Sequence, residues 1–289
     1  YNSKMISSLN TSCKLGESPV YHAKENCAYW LDLEDKLIYQ YDLSKKIITK
    51  QRLKLKAPLG CLFLTTKGNF IITSNSGVHL YNFKKKKLDF LFDLRLKNQS
   101  LIYNDGISTR SSLYIGLSDR NEKKPIGLFY HLKTNSLEIA AQNFPVANGP
   151  SLYKDQIIYS NSFYKRLEIY SKKQQKLLKI VSIKSGFPDG SCFDQQGGFW
   201  LAHWGAGKIT RFHSSMKKDF SINLPSKNIT SLCFIGNKKN TLLVTSASVD
   251  NTKKDLKSYA QPGNTFLIET EFKGHPIQHF DEKNLKMWR

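Results

Sequence analysis

One strand-and-turn unit recurs along this chain and limits the folds that the chain can adopt. The unit is an apolar strand, a turn and a second strand that ends in an aromatic residue, and copies lie at 27–42, 69–81, 156–170 and 198–212. The units recur about every 40 to 50 residues, which is the spacing of propeller blades. At this spacing the 289 residues hold about six blades. The repeat therefore predicts an all-β fold, a six-bladed β-propeller.

The rest of the chain shows the same sequence pattern of short strands separated by turns. Runs rich in Ile, Val, Leu, Phe, Tyr and Trp alternate with clusters of Gly, Asn, Asp, Ser and Lys, which is the pattern of strands and turns. No window shows a sustained period of 3.6 residues, and a short helix is predicted only at 281–289. No linker rich in Pro, Gly or Ser divides the chain. We therefore expect one propeller domain over residues 1–289, with 1–12 and 275–289 as peripheral tails.

The chain is strongly basic, with 44 Lys and Arg against 23 Asp and Glu and a net charge of +21. Such a charge raises the question of a nucleic acid or an anionic membrane surface. However, the lysines lie in short turn-like runs, as at 84–87, 172–173, 217–218 and 238–239, and no nucleic-acid-binding module surrounds them. A solvated, lysine-rich surface is therefore favoured over a nucleic-acid role. No run of about 18 apolar residues is present, so we expect no transmembrane helix and no membrane partner.

The number and spacing of the five cysteines indicate that they are free thiols. Their number is odd and no C-x-x-C spacing occurs, which argues against a disulfide framework and against a cysteine zinc site. Cys61, Cys192 and Cys233 lie in apolar runs, where a thiol behaves as a small hydrophobic side chain. A reducing compartment, the cytoplasm, fits this usage best, and a leader cleaved before Tyr1 stays an open alternative.

Four polar tetrads or triads interrupt the strand-rich background, at 16–19, 104–106, 147–150 and 187–190. Each of them alone is a turn signal, because Asn-Gly and Asp-Gly are common hairpin sequences. Taken as a set they supply two carboxylates and one amide oxygen, from Glu17, Asp189 and Asn148. Such hard oxygen ligands suit calcium, magnesium or manganese. In a propeller, loops that are far apart in sequence meet near one axis, so the set predicts a metal site.

Five motifs follow one another along the chain. They are LGESPVY (15–21) with YWLD (29–32), YNDG (103–106) with SLYIG (112–116), ANGP (147–150), FPDGSCFD (187–194) with GFWLAHWGAGKITRF (198–212), and TSLCFIG (230–236) with TLLVTSA (241–247). Each motif is weak evidence alone, but their order and spacing over about residues 13–270 resemble those of the SMP-30/regucalcin/gluconolactonase family of sugar-lactone hydrolases.

The resemblance implies a metal site and a substrate site. The metal ligands of the family match Glu17, Asn148 and Asp189. The ion would be one divalent cation, calcium first, with zinc, manganese or magnesium as alternatives. Asp189 would also be the catalytic residue that accepts the proton from the attacking water. On the substrate side, Asn104 would donate hydrogen bonds to substrate oxygens, with Asp105 beside it.

Two positions depart from the family pattern. An Arg that contacts the sugar often stands two residues before the Asn of the N-D-G motif, and this chain has Ile102 there. The later substrate-side Glu of the family falls in the segment 118–122, where Glu122 is assigned and Asn121 or Asp119 stay open as alternatives. The loss of the Arg leaves the metal site intact, but it weakens the expectation of a gluconolactone-like substrate.

These features predict a metal-dependent lactonase, which is a carboxylic ester hydrolase of the gluconolactonase type. It would act on a small-molecule lactone as a monomer or a weak homodimer. The loss of the Arg keeps two alternatives open. One is a calcium-binding, regucalcin-like propeller with little lactonase activity, and the other is a metal-dependent esterase or phosphotriesterase of the same fold. Fold alone does not separate these functions.

Overall fold

The chain folds as a six-bladed β-propeller, which confirms the predicted fold class. The computed structural model describes residues 5–96 and 98–288, and these form six four-stranded antiparallel sheets.

The first strand, β1 (Ile6–Leu9), belongs to the last blade. Blade 1 holds β2 (Gly16–His22), β3 (Cys27–Asp32), β4 (Leu37–Asp42) and β5 (Ile47–Arg52), and blade 2 holds β6 (Leu59–Leu64), β7 (Phe70–Ser74), β8 (Gly77–Asn82) and β9 (Lys87–Phe92). Blade 3 holds β10 (Leu101–Ser108), β11 (Leu113–Asp119), β12 (Gly127–Leu132) and β13 (Leu137–Phe144), and blade 4 holds β14 (Ala147–Tyr153), β15 (Gln156–Asn161), β16 (Arg166–Ser171) and β17 (Lys176–Ser182). Blade 5 holds β18 (Phe187–Phe193), β19 (Phe199–Trp204), β20 (Lys208–Phe212) and β21 (Lys218–Asn223), and blade 6 holds β22 (Asn228–Ile235), β23 (Thr241–Ala247), β24 (Thr265–Glu269) and β1.

Alternating side chains along each strand pack against the two neighbouring blades. In β3, for example, Tyr29 and Leu31 join the cluster shared with blade 2, and Ala28 and Trp30 join the cluster shared with blade 6. The described residues form six such apolar clusters, one at each blade interface. Because successive strand residues point to opposite faces of a sheet, a strand between two blades must be apolar at nearly every position. This explains why the second strands have continuous apolar runs.

The innermost strands β2, β6, β10, β14, β18 and β22 surround a central shaft. Each of them contacts the innermost strands of both neighbouring blades. Because every blade starts with its innermost strand, these six strands run in the same direction, and their first halves lie at one end of the shaft. That end is called the metal end below.

The two terminal segments that were expected to be peripheral tails both take part in the fold. Strand β1 pairs with β24 and completes blade 6, which closes the ring between the two ends of the chain. Residues 274–280, called the strap below, cross the other end of the shaft from blade 5, at Phe193, to blade 2, at Leu64. Phe280 and Leu285 are buried. Residues 1–4 and 289 of the expected tails lie outside the described residues.

Helical structure is scarce, as the sequence predicted. The expected helix at 281–289 is a 3₁₀ helix, Glu282–Trp288, and residue 289 lies outside the described part. One short α-helix, α1 (Lys253–Ser258), was not predicted from the sequence. It is capped at its N-terminus by Thr252, whose side chain accepts a hydrogen bond from the Asp255 N–H. None of the helices among the described residues has the length and apolar character that crossing a membrane requires.

All five cysteines are free and buried, as the sequence predicted. Burial raises the pKa of each of these thiols; for example, it raises that of Cys13 to about 12. A thiol with a raised pKa is protonated at neutral pH and is a poor nucleophile. The cysteines therefore act as small apolar side chains.

A buried ion-pair network holds blade 5 together. Asp194 is fully buried, and its carboxylate accepts hydrogen bonds from the Arg211 Nε at 2.8 Å and the Trp200 Nε1 at 2.9 Å. The same carboxylate accepts from the backbone N–H of Gly198 at 2.8 Å. Arg211 also donates to Asp219 at 2.6 Å. Since a buried charge is tolerated only when it is paired and hydrogen-bonded, this network fixes the two central strands of the blade.

Candidate metal centre

Every innermost strand carries a break in its pairing with the second strand of its blade, at the same level of the shaft. A β-bulge of this kind leaves residues unpaired and redirects their side chains. The polar motifs that the sequence analysis singled out therefore coincide with bulges rather than with hairpin turns. The six breaks lie between Glu17 and Val20, Leu59 and Leu62, Tyr103 and Gly106, Asn148 and Ser151, Pro188 and Ser191, and Ile229 and Ser231.

Two buried carboxyl groups, from blades 1 and 5, lie against each other in the shaft. Glu17 is 7% exposed and Asp189 is 5% exposed. Burial raises the pKa of Glu17 well above its usual range, and the Asp105 charge raises it further, while hydrogen bonds with the Ser18 N–H and the Asp189 carboxyl lower it. Burial and then the charges of Glu17 and Asp105 raise the pKa of Asp189 in the same way. The two residues are therefore neighbours, although 171 residues lie between them in the sequence.

The amide of Asn148 is held in one orientation by a chain of hydrogen bonds. Its Nδ2 donates to the Ser162 Oγ at 3.0 Å, and that hydroxyl donates to the Pro188 carbonyl at 2.6 Å. Because Ser162 has only one hydroxyl hydrogen, it must accept from Asn148. The Asn148 Oδ1 consequently faces the opposite way, where it accepts from the Asn104 Nδ2 at 2.9 Å and keeps a second lone pair for a ligand.

Asn104 holds Asn148 in place. Its Nδ2 donates both hydrogens to the protein, one to the Asn148 Oδ1 and one to the Ala147 carbonyl at 2.9 Å. The sequence analysis expected Asn104 to donate to substrate oxygens, and the observed pairing uses both of these donors. Its Oδ1 is the atom left for a substrate, and it can only accept. An Asn104 contact with substrate would therefore involve a substrate hydroxyl group.

Asp105 lies beside the Glu17 and Asp189 pair and is locked by backbone donors. Its Oδ1 accepts from the Gly106 N–H at 2.7 Å and its Oδ2 from the Gly149 N–H at 2.8 Å. Desolvation raises its pKa to about 6 despite these two hydrogen bonds. Three carboxyl groups are thus close together, which sequence spacing alone could not show.

The structure distinguishes among the three acidic or polar candidates of the loop after β11. Asp119 is buried, and its Oδ2 accepts from the backbone N–H of Lys123 at 3.0 Å and of Lys124 at 2.9 Å, so it stabilises the loop. Glu122 has an exposed side chain, and its charge acts on Asp189. Desolvation by the surrounding loops, then the charges of Asp250 and Asp119, raise the pKa of Glu122. Glu122 therefore faces the metal end of the shaft, opposite a loop of blade 6.

The donor set fits a hard divalent cation. The Asp189 Oδ1 is buried and has no hydrogen-bond partner, which is costly unless another group binds it. The charges that act on Glu17 and Asp189 are those of other carboxyl groups, so a cation would relieve their repulsion. Among the described residues, no group of three or more His, Cys, Asp or Glu side chains could hold a metal. The candidate set is therefore two carboxylates and one amide, Glu17, Asp189 and Asn148, with Asp105 outside it.

The bulge next to Asn148 requires a glycine. Gly149 has a φ of +53°, and a Cβ built on it would lie 2.3 Å from the Asp189 carbonyl oxygen and 2.5 Å from the Ser160 Oγ. We expect Gly149→Ala to lower the free energy of unfolding by about 1–3 kcal/mol, measured by urea denaturation. Gly205→Ala is the matched control, because Gly205 has a φ of +77° but nothing within 4 Å of its Cβ position. Equal losses for the two variants would mean that backbone strain alone, and not the close contact with Asp189, matters at Gly149.

A family model, sequence relatives and a solved structure all show similarity to regucalcin-like and gluconolactonase-like proteins. A family model described as SMP-30/Gluconolactonase/LRE-like region matches residues 15–248. Regucalcin of Gallus gallus is 24% identical over 272 residues, with 88% of this chain and 90% of regucalcin covered. A 6-deoxy-6-sulfogluconolactonase of Pseudomonas putida is 23% identical over 271 residues, with 90% and 92% covered. The crystal structure of a calcium-binding protein, regucalcin from Agrobacterium tumefaciens, superposes with a TM-score of 0.86 at 22% identity and covers 94% of this chain and 95% of its own.

Proposed function

Because the chain belongs to the SMP-30/gluconolactonase/LRE-like family, we propose that it is a divalent-metal-dependent hydrolase that opens a lactone ring. The observation that carries the proposal is the pair of buried carboxyl groups, Glu17 and Asp189, in contact on the shaft. The Asn148 oxygen is directed by its hydrogen bonds, and one Asp189 oxygen is left without a partner. Relatives named for lactonase activity support the reaction class.

Glu17, Asn148 and Asp189 would hold one divalent cation, with calcium as the first candidate. Two carboxylate oxygens and one amide oxygen are the ligand types that calcium prefers, and a structural relative is described as a calcium-binding protein. Zinc, manganese and magnesium are the alternatives to test. When bound, the cation would polarise the lactone carbonyl and make a neighbouring water more acidic.

Asp189 is proposed as the base of the reaction. Its Oδ1 is buried and unpaired, so it can accept a proton from the attacking water while the water oxygen forms a bond to the carbonyl carbon. The ring C–O bond then breaks, and the proton passes to the departing alkoxide oxygen, so that the product is a hydroxy acid. The Asn104 Oδ1 and the Glu122 carboxylate would accept hydrogen bonds from substrate hydroxyl groups.

A second candidate function is calcium binding with little turnover. The observation that favours it is Ile102, a half-buried apolar side chain on β10 at the position where the family often has an Arg that contacts the sugar. Without that Arg, an anionic or highly hydroxylated lactone would lose a charged anchor. A metal-dependent esterase or phosphotriesterase with a less polar substrate would also tolerate Ile102.

The proposal is tested with a panel of sugar lactones, aryl lactones and phosphotriesters, each assayed with calcium, zinc, manganese or magnesium. We expect at least one lactone to be hydrolysed, EDTA to remove the activity, and one divalent cation to restore it. A protein that binds calcium stoichiometrically but opens no lactone under any metal would establish the second function instead. Turnover that persists after complete metal removal would exclude both functions.

A further inference from the structure

A cavity lies below the candidate metal centre and has no part in the proposed reaction. It has a volume of about 190 Å³ and extends from Ser18 and Asp105, at the level of the bulges, to His275 and His279 on the strap. Between these ends its walls are mainly apolar, with Phe63, Leu232 and Ile107 among the lining residues. A concave apolar site with a few polar groups at fixed positions is the usual form of a small-molecule site.

The strap lines this cavity and also a second one. The backbone N–H of His275 donates to the Phe193 carbonyl at 2.8 Å, and the Ser108 Oγ donates to the Gln278 carbonyl at 2.7 Å. The second cavity, of about 320 Å³, shares His275 and Ile277 with the first and is also lined by Lys172. The two cavities therefore meet at the strap, which is fixed at its two ends.

The strap end of the shaft carries positive charge. Lys239 lines the first cavity and Lys172 lines the second, and both are half-buried. Burial and then the charges of Lys239 and Lys172 lower the pKa of His275, which shows that these groups are neighbours. Burial and then the charge of His22, followed by that of Lys239 among others, lower the pKa of His279. The charges that act on both imidazoles are those of cationic groups, while a hydrogen bond with the Tyr21 backbone opposes the lowering of the His279 pKa.

The carboxylate of Asp155 interacts with the charge of Lys172. Asp155 accepts from the Ser171 Oγ at 2.7 Å and from the Lys173 N–H at 3.1 Å, so it caps its own turn. The shaft is thus acidic at the metal end, with Glu17, Asp105 and Asp189, and basic at the strap end. A ligand along the shaft would meet a hydrogen-bond acceptor, an apolar middle and then cations.

We propose that the cavity above the strap is a second binding site, for a small organic carboxylate with an apolar body. The carboxylate would lie near Lys239 and the strap imidazoles of His275 and His279, which line the cavity together. The apolar body would replace water against Phe63 and Leu232. The ligand class follows from the walls of this cavity and does not depend on the reaction at the metal centre.

The test uses benzoate as the probe and its neutral analogue benzamide as the comparison. The protein is treated with EDTA, so that a carboxylate cannot bind through a metal, and methyl resonances are followed by NMR. We expect benzoate to shift the methyl signals of Leu232 and Ile107 in a saturable manner, while Ile47, which is 53% exposed on an outer strand, stays unchanged. Benzamide should bind at least about five-fold more weakly, since it lacks the charge that Lys239 and Lys172 would pair with.

Two double lysine variants distinguish binding of benzoate in the cavity from its general electrostatic attraction to the basic protein surface. Lys239→Gln with Lys172→Gln should weaken benzoate binding about five-fold. Lys238→Gln with Lys173→Gln makes the same charge change at the adjacent residues, which are exposed and line neither cavity, and should leave the affinity unchanged. Equal weakening in both pairs, or no weakening in either, would overturn the proposal. Loss of benzoate binding in Glu17→Gln would also overturn it, because the probe would then lie at the metal centre.

Discussion

Asp189→Asn is expected to lower kcat for lactone hydrolysis by about 10³-fold. The substitution keeps an oxygen that can bind a cation, but it removes the carboxylate that accepts the proton from water. Asp189 has one buried oxygen without a partner, and no other carboxyl group at the site combines burial with a free oxygen in this way. The measurement is steady-state turnover of whichever lactone the panel identifies, at a metal concentration that saturates the variant.

Glu17→Gln is the comparison that separates metal binding from proton transfer. Glu17 contacts Asp189, and its Oε2 accepts from the Ser18 N–H at 2.9 Å, so its proposed role is that of a ligand. We expect this variant to bind the cation more weakly, by about 100-fold, with much of kcat recovered at high metal concentration. If Asp189→Asn regained its activity at high metal in the same manner, Asp189 would be a ligand and not the base.

Asp194→Ala is expected to lower the free energy of unfolding by about 3–5 kcal/mol. The substitution leaves the guanidinium of Arg211, which is 4% exposed, without its buried partner. It also removes the acceptor for the Trp200 Nε1 and for the Gly198 N–H. Because the loss includes a buried charge and two hydrogen-bond donors, it should exceed the effect of most surface substitutions. Urea denaturation followed by tryptophan fluorescence measures it.

Asp219→Ala is the matched control for this stability prediction. Asp219 pairs with the same Arg211 at 2.6 Å, but its side chain is 26% exposed. Water can replace an exposed partner, so the expected loss is about 1 kcal/mol or less. A similar loss for both variants would show that Arg211 depends equally on its two partners and that burial of Asp194 does not set the cost.

The sequence determined the fold because the signals for strands are local. In β3, the alternation of Ala28, Tyr29, Trp30 and Leu31 between two neighbouring blades follows from the two-residue period of a strand. A run that is apolar on both faces must be covered on both faces. Because this chain has no long helical pattern, the covering layers are other sheets, and the recurrence of such runs indicates a ring of blades. The candidate metal ligands were also visible, since Glu17, Asn148 and Asp189 interrupt the strand-rich pattern.

The sequence did not determine the separate roles of the polar residues at the candidate site. It assigned Glu122 and left Asp119 and Asn121 open as alternatives. Only the loop hydrogen bonds of Asp119 and the exposure of Glu122 distinguish two of these residues. It assigned Asn104 as a donor to substrate, whereas both of its Nδ2 hydrogens are used by the protein. Each of these outcomes depends on which partner lies within hydrogen-bonding distance.

The strap and the cavity above it were wholly decided by the tertiary structure. Residues 275–289 show no repeat and no motif, so they were expected to be peripheral. The strap at 274–280 nevertheless crosses the shaft and brings His275 and His279 near Lys239. Strand periodicity is fixed by the geometry of the backbone over a few residues. The meeting of Glu17 with Asp189, or of Lys239 with His275, is fixed by the packing of six sheets around one axis, and no local pattern in the chain encodes it.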